Sequence, residues 1–393
     1  MSYTLVEYAA MIADPVRTRA YADAMRATIR PGDVVLDIGT GFGFFAVLAA
    51  QLGARQVFAV EPDDAVSLGP ALARENGVAD RVTFLQGDSR QLTLPERATV
   101  LVEDVRGVMP LYGDRIAILA DARARLLTAD ARRVAIRDTL WAAPARASAL
   151  TQQLDTAILS GTEGVAMRST LGTRLADSWR RARNAPEDLC LPPAALGALE
   201  LGTITSPHHD GTAQWRDVAS FTADGFVIWF EAELAGGPRF SSAPGPAQTV
   251  HGALYCPLRE PLAVAAGSAL DFRFVATHTG NDYAWSWESV VRSAAGVETR
   301  SPRQSTLGAL LLSAERVHAA MPTAVPTLGC EGARWRALAA AVDGTRTRAE
   351  IVARLVGDAA LGFSSEGDAR EWMIGPLRVL DAGRPPRVLD PHR

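Results

Sequence analysis

Val34–Glu61 reads VVLDIGTGFGFFAVLAAQLGARQVFAVE, and its reading decides the fold. Val34, Val35, Leu36 and Ile38 form the short apolar run of a parallel strand buried on both faces. Gly39, Gly41 and Gly43 follow at once, where a backbone must turn sharply and pass close to a ligand without a Cβ in the way. Phe44 to Leu52 has a helical pattern closed by Gly53, and Gln56 to Val60 is a second strand with Glu61 at its carboxyl end. In an open α/β sheet, ligands bind outside the carboxyl ends of the strands, and an acid after the second strand suits a ribose diol.

Spacing separates two nucleotide classes. A dinucleotide fingerprint needs G-x-G-x-x-G, and its third glycine position holds Phe44. The run Asp37 to Gly43, D-x-G-x-G-x-G, resembles motif I of class I S-adenosylmethionine (SAM) methyltransferases. The other reading is a glycine turn that binds nothing.

The 393 residues are enough for two or three domains. A net charge of −4 leaves no electrostatic footprint for nucleic acid or an anionic membrane. Cys190, Cys256 and Cys330 are far apart and odd in number, so no disulfide framework or metal spacing follows. No basic-apolar leader and no membrane-spanning apolar run stands out, so the expected location is cytoplasmic. His208 and His209 read as a solvated turn.

Tyr8-Ala-Ala-Met-Ile-Ala-Asp-Pro-Val-Arg17-Thr-Arg-Ala-Tyr21 resembles the helix that covers SAM in protein arginine methyltransferases. Met11, Asp14, Val16, Arg17, Thr18 and Tyr21 match, and Tyr8 stands where the family has histidine. The resemblance implies that Arg17 pairs with the SAM carboxylate, which suits a planar guanidinium. The other reading is a solvated arginine on an amphipathic helix. After Glu61 a helix runs to about Asn76, then a strand, Val82 to Leu85, ends in Gln86-Gly87-Asp88-Ser89. The family's adenine-binding glutamate falls on Arg90, which makes Asp88, beside Ser89, the substitute.

Thr99 to Val102 is the next strand, with Glu103 and Asp104 at its end. The resembled family carries two glutamates here, about nine residues apart, that hold the acceptor guanidinium. Aligned on Gly107, the first becomes Asp104 and the second falls on Gly113, beside Asp114. Val105 and Arg106 replace an aromatic residue and a methionine, and a cation at 106 repels a guanidinium. Asp114 also reads as the N-cap of a helix ahead of Ile116 to Leu127. A strand, Arg133 to Ala142, follows.

The expected fold class is α/β, with N-terminal helices (1–30), a Rossmann-like domain (31–144) and an antiparallel β-barrel (145–304). A helical insertion near 145–195 resembles the family's dimerisation arm, implying a homodimer. Arg239 to Pro244 and Pro257 to Val264 resemble its barrel, and Thr249-Val250-His251 its threonine-histidine-tryptophan loop; His251, one step out of place, either points into the site or is a buried loop histidine. Residues 305–393 form a helical extension in which Ala337 to Val352 resembles PqqD-like peptide-binding modules; Thr347 and Glu350 form a capping-box pattern.

The resemblance is to a divergent, bacterial-type arginine methyltransferase-like enzyme with SAM as cofactor and no metal. Tyr8, Arg17, Asp37, Gly39, Gly41, Glu61, Asp88, Ser89 and Glu103 are the expected cofactor residues; Glu103, Asp104 and His251 are the expected catalytic ones. The altered loop favours a small-molecule or peptide acceptor. True arginine methylation by Asp104 and Asp114, and a non-catalytic SAM- or peptide-binding scaffold, stay open.

Overall fold

A computed structural model describes residues 4–182, 184–245, 249–280, 282–311, 321, 323, 325, 327–380 and 387–389. The chain divides into two compact units, Met1–Leu310 with Pro386–Arg393, and Leu311–Pro385.

The first unit opens with α1 (Leu5–Ala13) and α2 (Pro15–Thr28). Asp14 separates them: its carboxylate accepts the Val16 and Arg17 N–H groups, and Pro15 sits at the first helical position. The parallel sheet comprises β1 (Val34–Ile38), β2 (Gln56–Glu61), β3 (Val82–Gln86), β4 (Ala98–Glu103) and β5 (Leu127–Arg133), in the order β3-β2-β1-β4-β5. Each residue of β1 is buried, Asp37 included, as befits a strand covered on both faces. Helices α3 (Phe44–Gln51), α4 (Gly69–Glu75) and α5 (Arg115–Asp121) connect the strands. The register sets Ile38 beside both Val60 and Glu103, which levels the carboxyl ends of three strands at one edge.

The expected strand Arg133 to Ala142 corresponds to β6 (Ala135–Ala145), and β5 precedes it where no strand was expected. β5 ends the parallel sheet at Arg133, and β6 begins an antiparallel one after the buried Val134. The change of sheet therefore falls near 134, ten residues before the expected boundary at 144. β5 reads Leu-Thr-Ala-Asp-Ala-Arg-Arg with only Leu127 buried, so no apolar run marks it in the sequence.

The antiparallel layers follow. Helices α6 (Ala149–Ser160) and α7 (Arg168–Ala176) come first. One sheet runs β7 (Arg180–Ala182), β12 (Ala253–Val264), β10 (Phe221–Leu234), β6 and β8 (Ala194–Glu200), with β11 (Arg239–Ser241) on β10. The other runs β15 (Glu298–Arg300), β14 (Tyr283–Arg292), β13 (Ser268–His278) and β9 (His209–Val218), with β16 (Gln304–Ser305) on β14. Phe226 of β10 stacks on Phe272 of β13 at 3.8 Å, so the sheets share a core. The expected solvated turn at His208-His209 is corrected here: His209 starts β9, and the His278 N–H donates to the His208 ring at 3.1 Å.

The second unit holds α8 (Cys330–Ala341), α9 (Arg348–Gly357) and α10 (Glu366–Leu380). Leu338, Ile351, Val352, Leu355, Leu361 and Met373 form its own core. Thr347 and Glu350 make the expected capping box. Of the expected extension, 312–320, 322, 324, 326, 381–386 and 390–393 lie outside the described residues. After α10, β17 (Arg387–Val388) adds antiparallel to the outer edge of β3 in the first unit.

Candidate active site

A cavity of about 670 Å³ opens at the carboxyl edge of the parallel sheet, lined by α1, the glycine turn and the ends of β2, β3 and β4. The turn is built as its glycines demand. Gly39, Gly41 and Gly43 all have positive φ (75°, 58° and 97°). A Cβ on Gly41 would lie 2.8 Å from the Tyr8 ring, and one on Gly43 would lie 2.6 Å from Phe84. Tyr8 thus covers the turn from above while Phe84 presses on it from below.

Glu61 locks this turn. Its carboxylate accepts the Gly41 N–H and the Asp63 N–H, both at 3.0 Å, on the cavity wall. Burial raises its carboxyl above the ordinary glutamate range against the pull of those donors. Asp37 is buried behind the wall, and its carboxylate accepts the Thr40 hydroxyl at 2.5 Å. Burial pushes it up to about 7. Its hold on a ligand therefore passes through Thr40 and the turn.

Arg17 is buried on the wall. Its Nε donates to Asp104 and its Nη1 to the Met11 carbonyl at 3.0 Å. Asp104 also takes Arg106 Nη1 at 2.6 Å, and Arg106 forks onto Asp138 of β6, with Nη2 to Oδ1 at 2.8 Å. Asp138 meets Arg115 Nη1 at 2.7 Å, and Arg115 Nη2 meets Glu103 at 2.7 Å. Arg17, Asp104, Arg106, Asp138, Arg115 and Glu103 thus form one buried chain of alternating charge. Burial favours the neutral acid, but the guanidinium groups outweigh it and hold the Asp104 and Asp138 carboxyls well below the usual range.

Opposite lie Asp88, Ser89 and Arg90. The Arg90 guanidinium pairs with Asp88 at 2.6 Å and with Asp114 at 2.8 Å, and Asp114 also faces His278 Nε2 at 3.2 Å. Ser89 is buried on the wall, and its hydroxyl has no hydrogen-bond partner among the described residues. An orphaned hydroxyl, a buried acid at a glycine turn and a buried arginine fit an adenosine bearing an amino-acid tail.

These features agree with comparisons to known proteins. Residues 18–105 match the ribosomal protein L11 methyltransferase (PrmA) family. Over 138 residues the chain is 38% identical to protein arginine N-methyltransferase PRMT10 of Oryza sativa subsp. japonica, covering 35% of this chain and 36% of that protein. It is 27% identical over 236 residues to protein arginine N-methyltransferase 6 of Xenopus tropicalis, covering 58% and 69%. The solved Arabidopsis thaliana protein arginine methyltransferase 10 shares the fold, with a TM-score of 0.68 at 19% identity over 77% of this chain and 98% of that one. A Trypanosoma brucei PRMT1 enzyme–prozyme complex with AdoHcy gives 0.68 at 19% identity, over 76% and 97%. The chain is arginine-methyltransferase-like. It spans about a third of the length of the rice relative it matches.

An arginine-methyltransferase-like frame makes the departures local. Tyr8, Arg17, Gly39, Gly41, Glu61, Asp88, Ser89 and Asp104 stand on the cavity wall as expected. Three expected residues do not reach it: Asp37, Glu103 and His251. Glu103 faces Arg115 instead, with Oε2 also accepting the Val105 N–H at 3.2 Å. His251 Nδ1 meets the Gly107 carbonyl at 2.9 Å, and its ring packs on Phe230 and Phe240. A carbonyl only accepts, so Nδ1 carries the proton; burial depresses the ring to about 4, leaving it neutral. Asp114 does stand at the N-cap of α5, but its carboxylate makes no cap bond and turns to Arg90 and His278. Asp138 and His278 gave no local signal, because they enter the site only through the pairing of distant strands.

Proposed function

We propose that this protein is a SAM-dependent methyltransferase whose acceptor is a neutral or anionic nucleophile on a small molecule or peptide, not a protein arginine. The observation that carries the cofactor reading is the joint placement of Arg17, Glu61 and the glycine turn on one wall. Glu61 would take the ribose hydroxyls, Arg17 the carboxylate, and Ser89 with Asp88 the adenine edge. Bound SAM supplies a methyl group already activated on a sulfonium. The chain's task is then to align a lone pair with that methyl and to exclude water. α1 covers the turn through Tyr8, and Asp104, held ionised by two guanidinium groups, orients without taking a proton.

Charge supports the acceptor reading. Three guanidinium groups balance three carboxylates in the buried chain. Position 113 is glycine, and Asp114 is tied to Arg90 and His278. Among the described residues, Glu103, Asp104 and Asp114 each already have an arginine partner, so the loop after β4 offers an incoming guanidinium no unpaired acid of its own. Arginine methylation is the second reading, favoured by the names of the relatives; on it, Asp114 would leave Arg90 to grip the acceptor.

Exposed Leu154, Leu159 and Val165 on and beside α6 suit an arm that pairs two copies, and the proposed setting is cytoplasmic. No helix among the described residues is long and apolar enough to cross a membrane. Titration with S-adenosylhomocysteine, followed by transfer of labelled methyl from SAM to arginine peptides and to cell extract, tests the reading. Binding with label in non-arginine products supports it, and label in arginine replaces it with the second reading. Absence of binding refutes both, whereas binding without transfer to any acceptor would favour a scaffold.

A further inference from the structure

The Arg106 side chain is fully buried. Its fork meets Asp138 through Nε at 3.1 Å and Nη2 at 2.8 Å, and Nη1 reaches Asp104 at 2.6 Å. Nη1 also donates to the Tyr21 hydroxyl, which in turn donates a hydrogen bond to the Glu103 main-chain carbonyl at 2.9 Å. The rings of Tyr21, Phe230 and Phe240 stand 5.9, 6.0 and 5.7 Å from the guanidinium carbon. Two carboxylates, a phenol oxygen and three aromatic rings around a planar fork are the chemistry that recognises a guanidinium ion. The molecule contains a built guanidinium site, and its own Arg106 fills it.

We propose that Arg106 is an internal guanidinium ligand that determines acceptor specificity. It neutralises Asp104 of the loop after β4 and Asp138 of β6, which would otherwise attract a guanidinium-bearing acceptor. Through Asp104 it also positions Arg17 on the cofactor wall. The acceptor half of this inference rests on the methyltransferase reading; the cation site itself does not. Arg106 acts through Asp104, which it shares with Arg17, so the role assigned to it is positioning.

The test is chemical rescue. Arg106→Ala and the longer Arg106→Met are compared with wild type in millimolar guanidinium chloride or methylguanidinium chloride, against sodium chloride at equal ionic strength. Thermal midpoint and affinity for S-adenosylhomocysteine are both read. Loss of a buried charge partner predicts affinity roughly tenfold or more weaker in Arg106→Ala. Guanidinium then restores that affinity and raises the midpoint of Arg106→Ala, because a ligand that binds only the folded state stabilises it. Wild type and Arg106→Met, whose side chain fills the space, show no such gain. The same response in all three proteins overturns the proposal, as does unchanged affinity in Arg106→Ala. If Arg106→Ala does not fold, guanidinium must recover its folding, and failure to do so also overturns it. Failure of wild type to bind S-adenosylhomocysteine would remove the cofactor reading, while the midpoint of Arg106→Ala still decides the cation site.

Discussion

Glu61 Oε2 accepts the Gly41 N–H at 3.0 Å, and this bond joins the end of β2 to the turn that follows β1. The same carboxylate caps Asp63, so one buried side chain shapes two loops of the cofactor wall. Glu61→Ala would orphan both N–H groups and remove the ribose partner. Losing bonds to a charged group costs about 1.5–3 kcal/mol, so affinity for S-adenosylhomocysteine should fall by about tenfold to a hundredfold. Calorimetric titration checks it, and an unchanged affinity would remove the ribose assignment.

Gly43→Ala should weaken folding as well as binding. Its φ of 97° disfavours any side chain, and the new Cβ would stand 2.6 Å from the Phe84 ring. Phe84 is buried and cannot retreat freely. Strain with overpacking costs about 1–3 kcal/mol. A lowered urea midpoint with unchanged slope is the expected result.

Asp37 should make stability fall as pH rises toward neutrality. Burial places its folded-state value near 7, against an ordinary 3.8. Between those values the unfolded chain ionises while the folded one keeps its proton. The contribution is therefore full below about pH 4 and gone above about pH 7. Glu61 is raised by the same cause and adds to this slope, whereas Asp104 and Asp138 have the opposite sign and act only in stronger acid. Asp37→Asn should flatten the difference in urea midpoint between pH 5 and pH 8. A difference equal to that of wild type would show that Asp37 does not carry it.

Asp138→Ala should be among the most damaging single changes. It strands Arg106 and Arg115, both buried, with Asp138 a partner of each. Breaking a buried pair from one side costs about 3–5 kcal/mol. Replacing Asp138 and Arg106 together with apolar residues should recover part of that loss in chemical denaturation, since no lone charge then stays buried at that contact.

The parallel strands, the glycine turn, the place of Glu61 at a strand end and the capped helix at Thr347 were legible in the sequence because each is marked by residues close together in the chain. An apolar run buries itself, a glycine accepts positive φ, and a threonine three residues before a glutamate closes a helix end. Arg106 was visible as a departure, but its meaning was not. That depends on Asp138, which is 32 residues away and reaches Arg106 only because β6 leaves the parallel sheet and starts the antiparallel one. Glu103 and His251 face Arg115 and the Gly107 carbonyl for the same reason. Residue type shows what a side chain can bind, but which partner it meets in the low-dielectric interior is decided by packing between elements far apart in the chain. Local sequence determined the frame of the cofactor site, and tertiary structure alone decided which of its acids remain free to act.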